Sequence, residues 1–183
     1  MRTKSLLMMA SALMIASATV GAQDPQSFNH GNNHLIHVTA KLEPSHEVPA
    51  VSSPAEGRFS ADIDLNAGEL TYELTFTGLQ APVTQSHIHF AQPNVNGGIM
   101  VWLCGTASNP GPAGTQACPA NGVTITGTIH AADIQTLTTQ GIATGEFDEF
   151  VNAIRNGLAY ANVHSTQSPG GEIRGQIRRG DRD

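Results

Sequence analysis

Basic residues are scarce in this chain. It carries nine Lys and Arg against fifteen Asp and Glu, and its formal net charge is −6. A surface that grips nucleic acid needs clustered cations to neutralise phosphates, so this balance argues against a nucleic-acid partner. Cysteine is nearly absent too, with two residues in 183. That rules out a disulfide-dense scaffold and, without a C-x-x-C pair, a structural zinc knuckle. Aromatic residues make up 5% of the chain, with a single tryptophan. No nucleotide-binding glycine fingerprint, P-loop, G-x-S-x-G elbow or zincin helix motif occurs, and no internal repeat.

Long apolar runs are also missing, with one exception. "MRTKSLLMMASALMIASATVGA" opens with Arg2 and Lys4, continues apolar or small to about Val20, and ends in small residues at Ala22. That order describes a secretory signal peptide (residues 1–22), with a mature chain starting near Gln23. The strongly apolar part is short for a span of about 20 residues, and no basic stop-transfer flank follows. The expected location is therefore periplasmic or secreted, with no membrane span in the mature form. Export also favours joining Cys104 to Cys118 across the Gly/Pro-rich "GTASNPGPAGTQA".

Beyond the leader, "QDPQSFNHGNNH" (residues 23–34) reads as a flexible lead-in, and its His30 and His34 as solvated polar residues. Period-two alternation then takes over. "GRFSADIDL" places Phe59, Ala61, Ile63 and Leu65 in phase, and "ELTYELTF" does the same with Leu70, Tyr72, Leu74 and Phe76. "NAG" between them predicts a hairpin with glycine in the left-handed position. "LIHVTAKL", "VTQSHIHF", "GIMVWLC", "GVTITGTIH", "LAYANVHS" and "GEIRGQI" are further strand candidates. "GEFDEFVNAIRNG" has helical spacing and a stop at Asn156-Gly157, and "AADIQTLTTQ" suggests a second, shorter helix. The predicted fold is mostly β. It is an antiparallel β-sandwich or Greek-key barrel, immunoglobulin-like or superoxide-dismutase-like, with one or two short helices in the late connections. The domain covers residues 35–178, and residues 179–183 form a charged tail. The "RGD" at Arg179–Asp181 sits among other charges and reads as part of that solvated tail.

Two features carry chemistry. "SHIHF" sets His87 and His89 two residues apart, on one face of a strand. "AYANVHS" sets Tyr160, Asn162 and His164 on one face, with Ala161 and Val163 on the other. If these strands pair or face one another, three imidazoles converge on one ion, a donor set that suits Cu(II), with Zn(II) as the alternative. Turn-rich loops, "AQPNVNGG" and "STQSPGGE", follow both motifs, as at many binding sites carried on rigid scaffolds. Glu172 and Glu47 are the candidate acceptors that would orient the rings. The competing reading treats the three histidines as partly exposed polar residues in ordinary hydrogen bonds. His37, His46 and His130 are read that way.

"HEVPAV", "LTYELTFTGLQAPVTQSHIHF", "GGIMVWLC" and "IRNGLAYANVHSTQSPGGEIRGQI" together resemble the CHRD domain, named for chordin and found also as a single-domain secreted protein in bacteria. The resemblance runs from about Leu35 to Ile177, with departures at His46 and Ala50, where Gln and a second Pro are usual. It implies a β-rich extracytoplasmic domain. Growth-factor binding in chordin is attributed mainly to cysteine-rich modules that this chain lacks, so the resemblance leaves the chemistry open.

The functional expectation is a secreted or periplasmic protein that handles, stores or senses copper through His87, His89 and His164. The alternative is a metal-free extracellular interaction or adhesion domain. A third reading is a copper oxidoreductase of superoxide-dismutase type, on the likeness of one H-x-H strand. For it, Arg174 in "GEIRG" is the nearest candidate for the active-site arginine.

Overall fold

The computed structural model describes residues 35–119 and 124–180. The leader, the lead-in with His30 and His34, and residues 181–183 lie outside them.

Alternation dictates the first sheet. Strands β1 (Leu35–Leu42), β2 (Glu56–Asp64) and β3 (Glu69–Thr77) bury every second residue. Val38, Leu42, Phe59, Ile63, Leu70, Leu74 and Phe76 are fully shielded from solvent. The β2–β3 hairpin is the one read from sequence. Asp64 pairs with Glu69, the Asp64 carboxylate accepts the Asn66 and Ala67 amides, and Gly68 takes φ +66°, a conformation costly for any residue with a Cβ. With β6 (Ile125–His130) and the two-residue β9 (Arg178–Arg179), the antiparallel order is β6-β3-β2-β1-β9.

The second sheet runs β5-β4-β7-β8, from β4 (Val83–Phe90), β5 (Gly98–Gly105), β7 (Ala159–Ser165) and β8 (Ile173–Gln176). Ile88, Met100, Leu103, Ala161, Val163 and Ile173 join the first sheet's apolar residues in one core. Both sheets stay open, so the sandwich rather than the barrel is formed.

One predicted helix forms. Helix α1 (Phe147–Arg155) buries Phe147, Phe150, Val151 and Ile154, carries Asp148 and Glu149 in its first turn, and is followed by Gly157 at φ +67°. The second does not. "AADIQTLTTQ" becomes two single 3-10 turns, Ala131–Asp133 and Thr138–Gln140. Asp133 accepts the His130 amide, and a bridge between Leu137 and Ile142 uses backbone that a helix would need.

Candidate metal centre

The residues on the two faces of the second sheet could hardly differ more. In β4, Ile88 points into the sandwich, so His87 and His89 point away from it. Register supplies their neighbours: Trp102 of β5, His87, Asn162 of β7 and Arg174 of β8 lie in one cross-strand row. His89, Tyr160 and Gln176 lie in the next, and His164 stands opposite Gln85, diagonal to His87. Two register shifts in the β4–β5 pairing, at Ser86/His87 and Ile88/His89, keep Trp102 in this layer. Bulges of this kind re-aim side chains and recur beside functional sites.

This outward face is not wet. His87 is 0% exposed, His89 7% and His164 5%. Loops cover it, and the two turn-rich segments noted in the sequence are among them. Gly97 of "AQPNVNGG" offers its carbonyl to His89 Nδ1 at 2.9 Å, and Pro169 of "STQSPGGE" offers its carbonyl to His164 Nδ1 at 3.0 Å. A neutral imidazole that donates from Nδ1 leaves Nε2 as a lone-pair ligand. Gly97 must be glycine here, since a Cβ would fall 1.8 Å from the Phe90 carbonyl oxygen.

The rings converge. One potential ligand nitrogen from each of His87, His89 and His164 lies within 4.8 Å of the other two. His87 Nδ1 is 3.2 Å from His164 Nε2. Two nitrogens each bound to one ion would lie about 2.9–3.4 Å apart for angles from square to tetrahedral. His164 Nε2 is already a bare acceptor, so two choices remain for His87. With its proton on Nδ1 it donates to His164 and leaves Nε2 without a partner. With its proton on Nε2, two lone pairs face each other. An ion between them makes the second arrangement favourable.

Unmet polarity is concentrated around this layer. Among the described residues, the buried side-chain atoms lacking a hydrogen-bond partner are His87 Nε2, His89 Nε2, Asn162 Oδ1 and Glu47 Oε1. Three of the four belong to the cross-strand rows just described. An orphaned buried polar atom costs about 1–3 kcal/mol, so the three in these rows single the layer out as one that a ligand could satisfy.

Burial also sets the protonation states. Desolvation, helped by the neighbouring His164 and His89, pushes His87 down to about 2. Desolvation brings His164 down to about 4 against the pull of the Pro169 carbonyl, and it lowers His89 as well. All three rings are therefore neutral at physiological pH, the form a metal requires.

Aromatic contacts fix the rings from the side. His89 stacks on Tyr160 with centroids 4.8 Å apart, and Trp102 meets His87 edge to face at 4.3 Å. The Arg174 guanidinium lies 4.6 Å from the Tyr160 ring centre. Its Nε donates to the His46 carbonyl, and its Nη1 donates to Asn96 Oδ1 and the Val95 carbonyl, tying β8 to two covering loops. In the sequence Tyr160 already shares the His164 face and Arg174 is the candidate active-site arginine, whereas Trp102 carries no such signal. The parity of "AYANVHS" carried the signal for Tyr160; Trp102 reaches the layer only through the shifted register, which no sequence pattern announces.

The two candidate acceptors lie elsewhere. Glu172 is fully buried and accepts from Ser53 Oγ, Ser165 Oγ and the Gln80 amide. It thereby knots the ends of the loops rather than touching a ring. Glu47 lies 4.0 Å from Arg174 Nε, and burial pushes its carboxyl up to about 7 against the attraction of that guanidinium. Around the edge, Cys104 and Cys118 are bonded. Their loop folds back so that Gly111 packs against Trp102, where a Cβ would sit 2.7 Å from the indole. His37 pairs with Asp62, His46 with Glu43 and His130 with Glu69, all outside the layer.

No curated protein and no solved structure matches the chain. The sequence profile of the CHRD domain does, over residues 38–177. That match begins inside β1 and ends just short of β9, taking in both sheets and the whole histidine layer, so the chain belongs to the CHRD domain family.

Proposed function

We propose that this CHRD domain is an exported metal-binding protein that holds one copper ion through His87, His89 and His164. The observation that carries the reading is the convergence of three neutral, desolvated imidazoles, two of them fixed by backbone carbonyls so that Nε2 is bare. Three such donors suit Cu(II), and Zn(II) is the competing ion. The family supports an extracellular β-domain, and the leader-like N-terminus supports export.

Handling or storage fits better than turnover. The rings are buried under loops held by partly buried hydrogen bonds, a setting that favours retention of an ion over rapid exchange of substrate. Arg174, the candidate arginine for a superoxide-dismutase-like site, is separated from His89 by the Tyr160 ring and spends its donors on loop atoms.

The test is titration of purified, metal-free mature protein with Cu(II) and, separately, Zn(II), read by calorimetry and, for copper, by EPR. One equivalent of nitrogen-coordinated Cu(II), lost in His87→Ala, is expected. A wild-type protein without a stoichiometric signal would return the domain to the metal-free interaction reading. Superoxide consumption by the loaded protein would move it to the enzyme reading.

A further inference from the structure

The few cations of the described residues are unevenly placed. They are Lys41, Arg58, Arg155, Arg174, Arg178 and Arg179, and four of these line a single groove of about 520 Å³. Among the described residues, no Asp or Glu lines it. Scattered over the surface of an acidic protein, so few cations would not gather in one concavity.

The fold explains how they meet. Strand β9 pairs Arg178 with Thr39 and Arg179 with Val38 of β1, at the edge of the first sheet. Strand β8, at the edge of the second, contributes Arg174 and Gln176, and a 3-10 turn after β1, Pro44–His46, contributes His46. The groove thus follows the line where two sheet edges approach. Its far wall is Pro93 and Asn94 of the loop that covers His89.

The cations play different parts. Arg174 is 5% exposed and its donors are engaged with loop atoms, so it supplies fixed positive charge at the floor. Its neighbouring carboxylate, Glu47, is held near half-protonation at neutral pH by burial, which leaves that charge incompletely balanced. Lys41 is tied to Glu43 at 2.6 Å. Arg178 and Arg179 are exposed, and no ion pair among the described residues engages either. Their guanidinium forks are free for the planar, two-point contacts that carboxylates and phosphates accept.

We propose that this groove is a binding site for a small, multiply charged oxyanion, a polycarboxylate or an organic phosphate. The volume falls within the range of small-molecule sites and exceeds what one inorganic ion fills. Several separated cations ask for more than one anionic group on the ligand.

Calorimetric titration of the metal-free, full mature chain at low ionic strength with citrate, with a sugar bisphosphate and with inorganic phosphate tests this. One saturable site is expected for at least one of the two organic anions, weakening steeply with added salt. Binding should fall at least tenfold in the double variant Arg178→Gln/Arg179→Gln. Inorganic phosphate should bind at least tenfold more weakly than the better organic anion. Lys41→Gln, on the other wall, gives an independent check should the double variant unfold, and a several-fold loss is expected there. The proposal is overturned if neither organic anion saturates at millimolar concentration, if inorganic phosphate binds equally well, or if the substitutions leave affinity unchanged. Copper titration of the same variants keeps this result separate from the histidine site, which they should not alter.

Discussion

The outer faces of the two sheets present the same kind of backbone with opposite fates. On the first sheet the outward residues of β2 and β3, such as Arg58, Asp62, Thr71 and Glu73, meet water or lie near it, and burial alternates along each strand. On the second, every residue of β7 is buried, polar and apolar alike. Ala159, Ala161 and Val163 enter the sandwich core, while Tyr160, Asn162 and His164 lie under loops. A solvated face lets water satisfy its polar atoms. A roofed one must satisfy them internally or with a guest, and this one leaves three atoms unsatisfied among the described residues. Burial therefore distinguishes His87 from His130: the first is desolvated and held neutral, whereas the second is exposed and faces Glu69.

The comparison can be broken from its core side first. Ile88→Ala removes a fully buried side chain between the two histidines but on the opposite face, and should cost about 2–5 kcal/mol of unfolding free energy. Urea denaturation would measure it, and the fraction that stays folded should still bind one copper. His87→Leu should reverse the pattern. Copper affinity should fall by about 100-fold or more, while metal-free stability shifts by only about 1 kcal/mol, because an orphaned polar atom leaves along with one hydrogen bond. Copper at 100 times the wild-type dissociation constant should accordingly stabilise wild type by about 2.7 kcal/mol and the variant by no more than about 0.4 kcal/mol, a difference that thermal melts would show.

Protons sharpen the same contrast. His87 and His164 have folded-state values of about 2 and about 4, below the ordinary 6.5. The unfolded chain therefore takes up their protons first as pH falls. Stability is fully present above about pH 6.5, and declines from there toward pH 4 by up to about 1.4 kcal/mol per pH unit for each ring. Melting curves from pH 7.5 to 4.5 should show this slope, and His164→Gln should flatten it. Because the rings are already neutral, copper binding at pH 6 should release almost no protons from them. Calorimetry in buffers of different ionisation enthalpy would detect the larger release that a solvated histidine trio would give.

Smaller effects come from the rim. Gly97→Ala pushes the covering loop off the Phe90 carbonyl and loosens the acceptor of His89, so copper affinity should drop about 10-fold. At the other end, His130→Ala should change stability by less than about 0.5 kcal/mol and leave copper binding untouched, as measured by the same titrations.

Much of this was legible in the chain, and the limits have physical causes. Alternation fixed the strands of the first sheet because one side of each meets solvent, so polarity reports direction. The same parity put His87 with His89, and His164 with Tyr160 and Asn162. What parity cannot report is a roof. His89 looks the same in sequence whether water or the Gly97 carbonyl meets its Nδ1, because the loop's path depends on contacts such as Arg174 with Asn96, 78 residues apart. Likewise "AADIQTLTTQ" has apolar spacing that suits a helix, and it loses to backbone pairing that only the folded chain makes available. The acidic residues were misleading guides to the ring acceptors for a similar reason: carbonyl groups, present at every position, carry no sequence signature.

Trp102 gives the buried layer an optical voice. It is the one tryptophan of the chain, and its indole packs edge-on against the His87 ring. An open-shell ion held by His87 would lie within a ring's width of the fluorophore and quench its emission, whereas a closed-shell ion at the same nitrogens would leave most of the light intact. The domain thus carries an intrinsic probe that, in the purified protein and without a label, would report both whether an ion fills the site and which kind of ion it is.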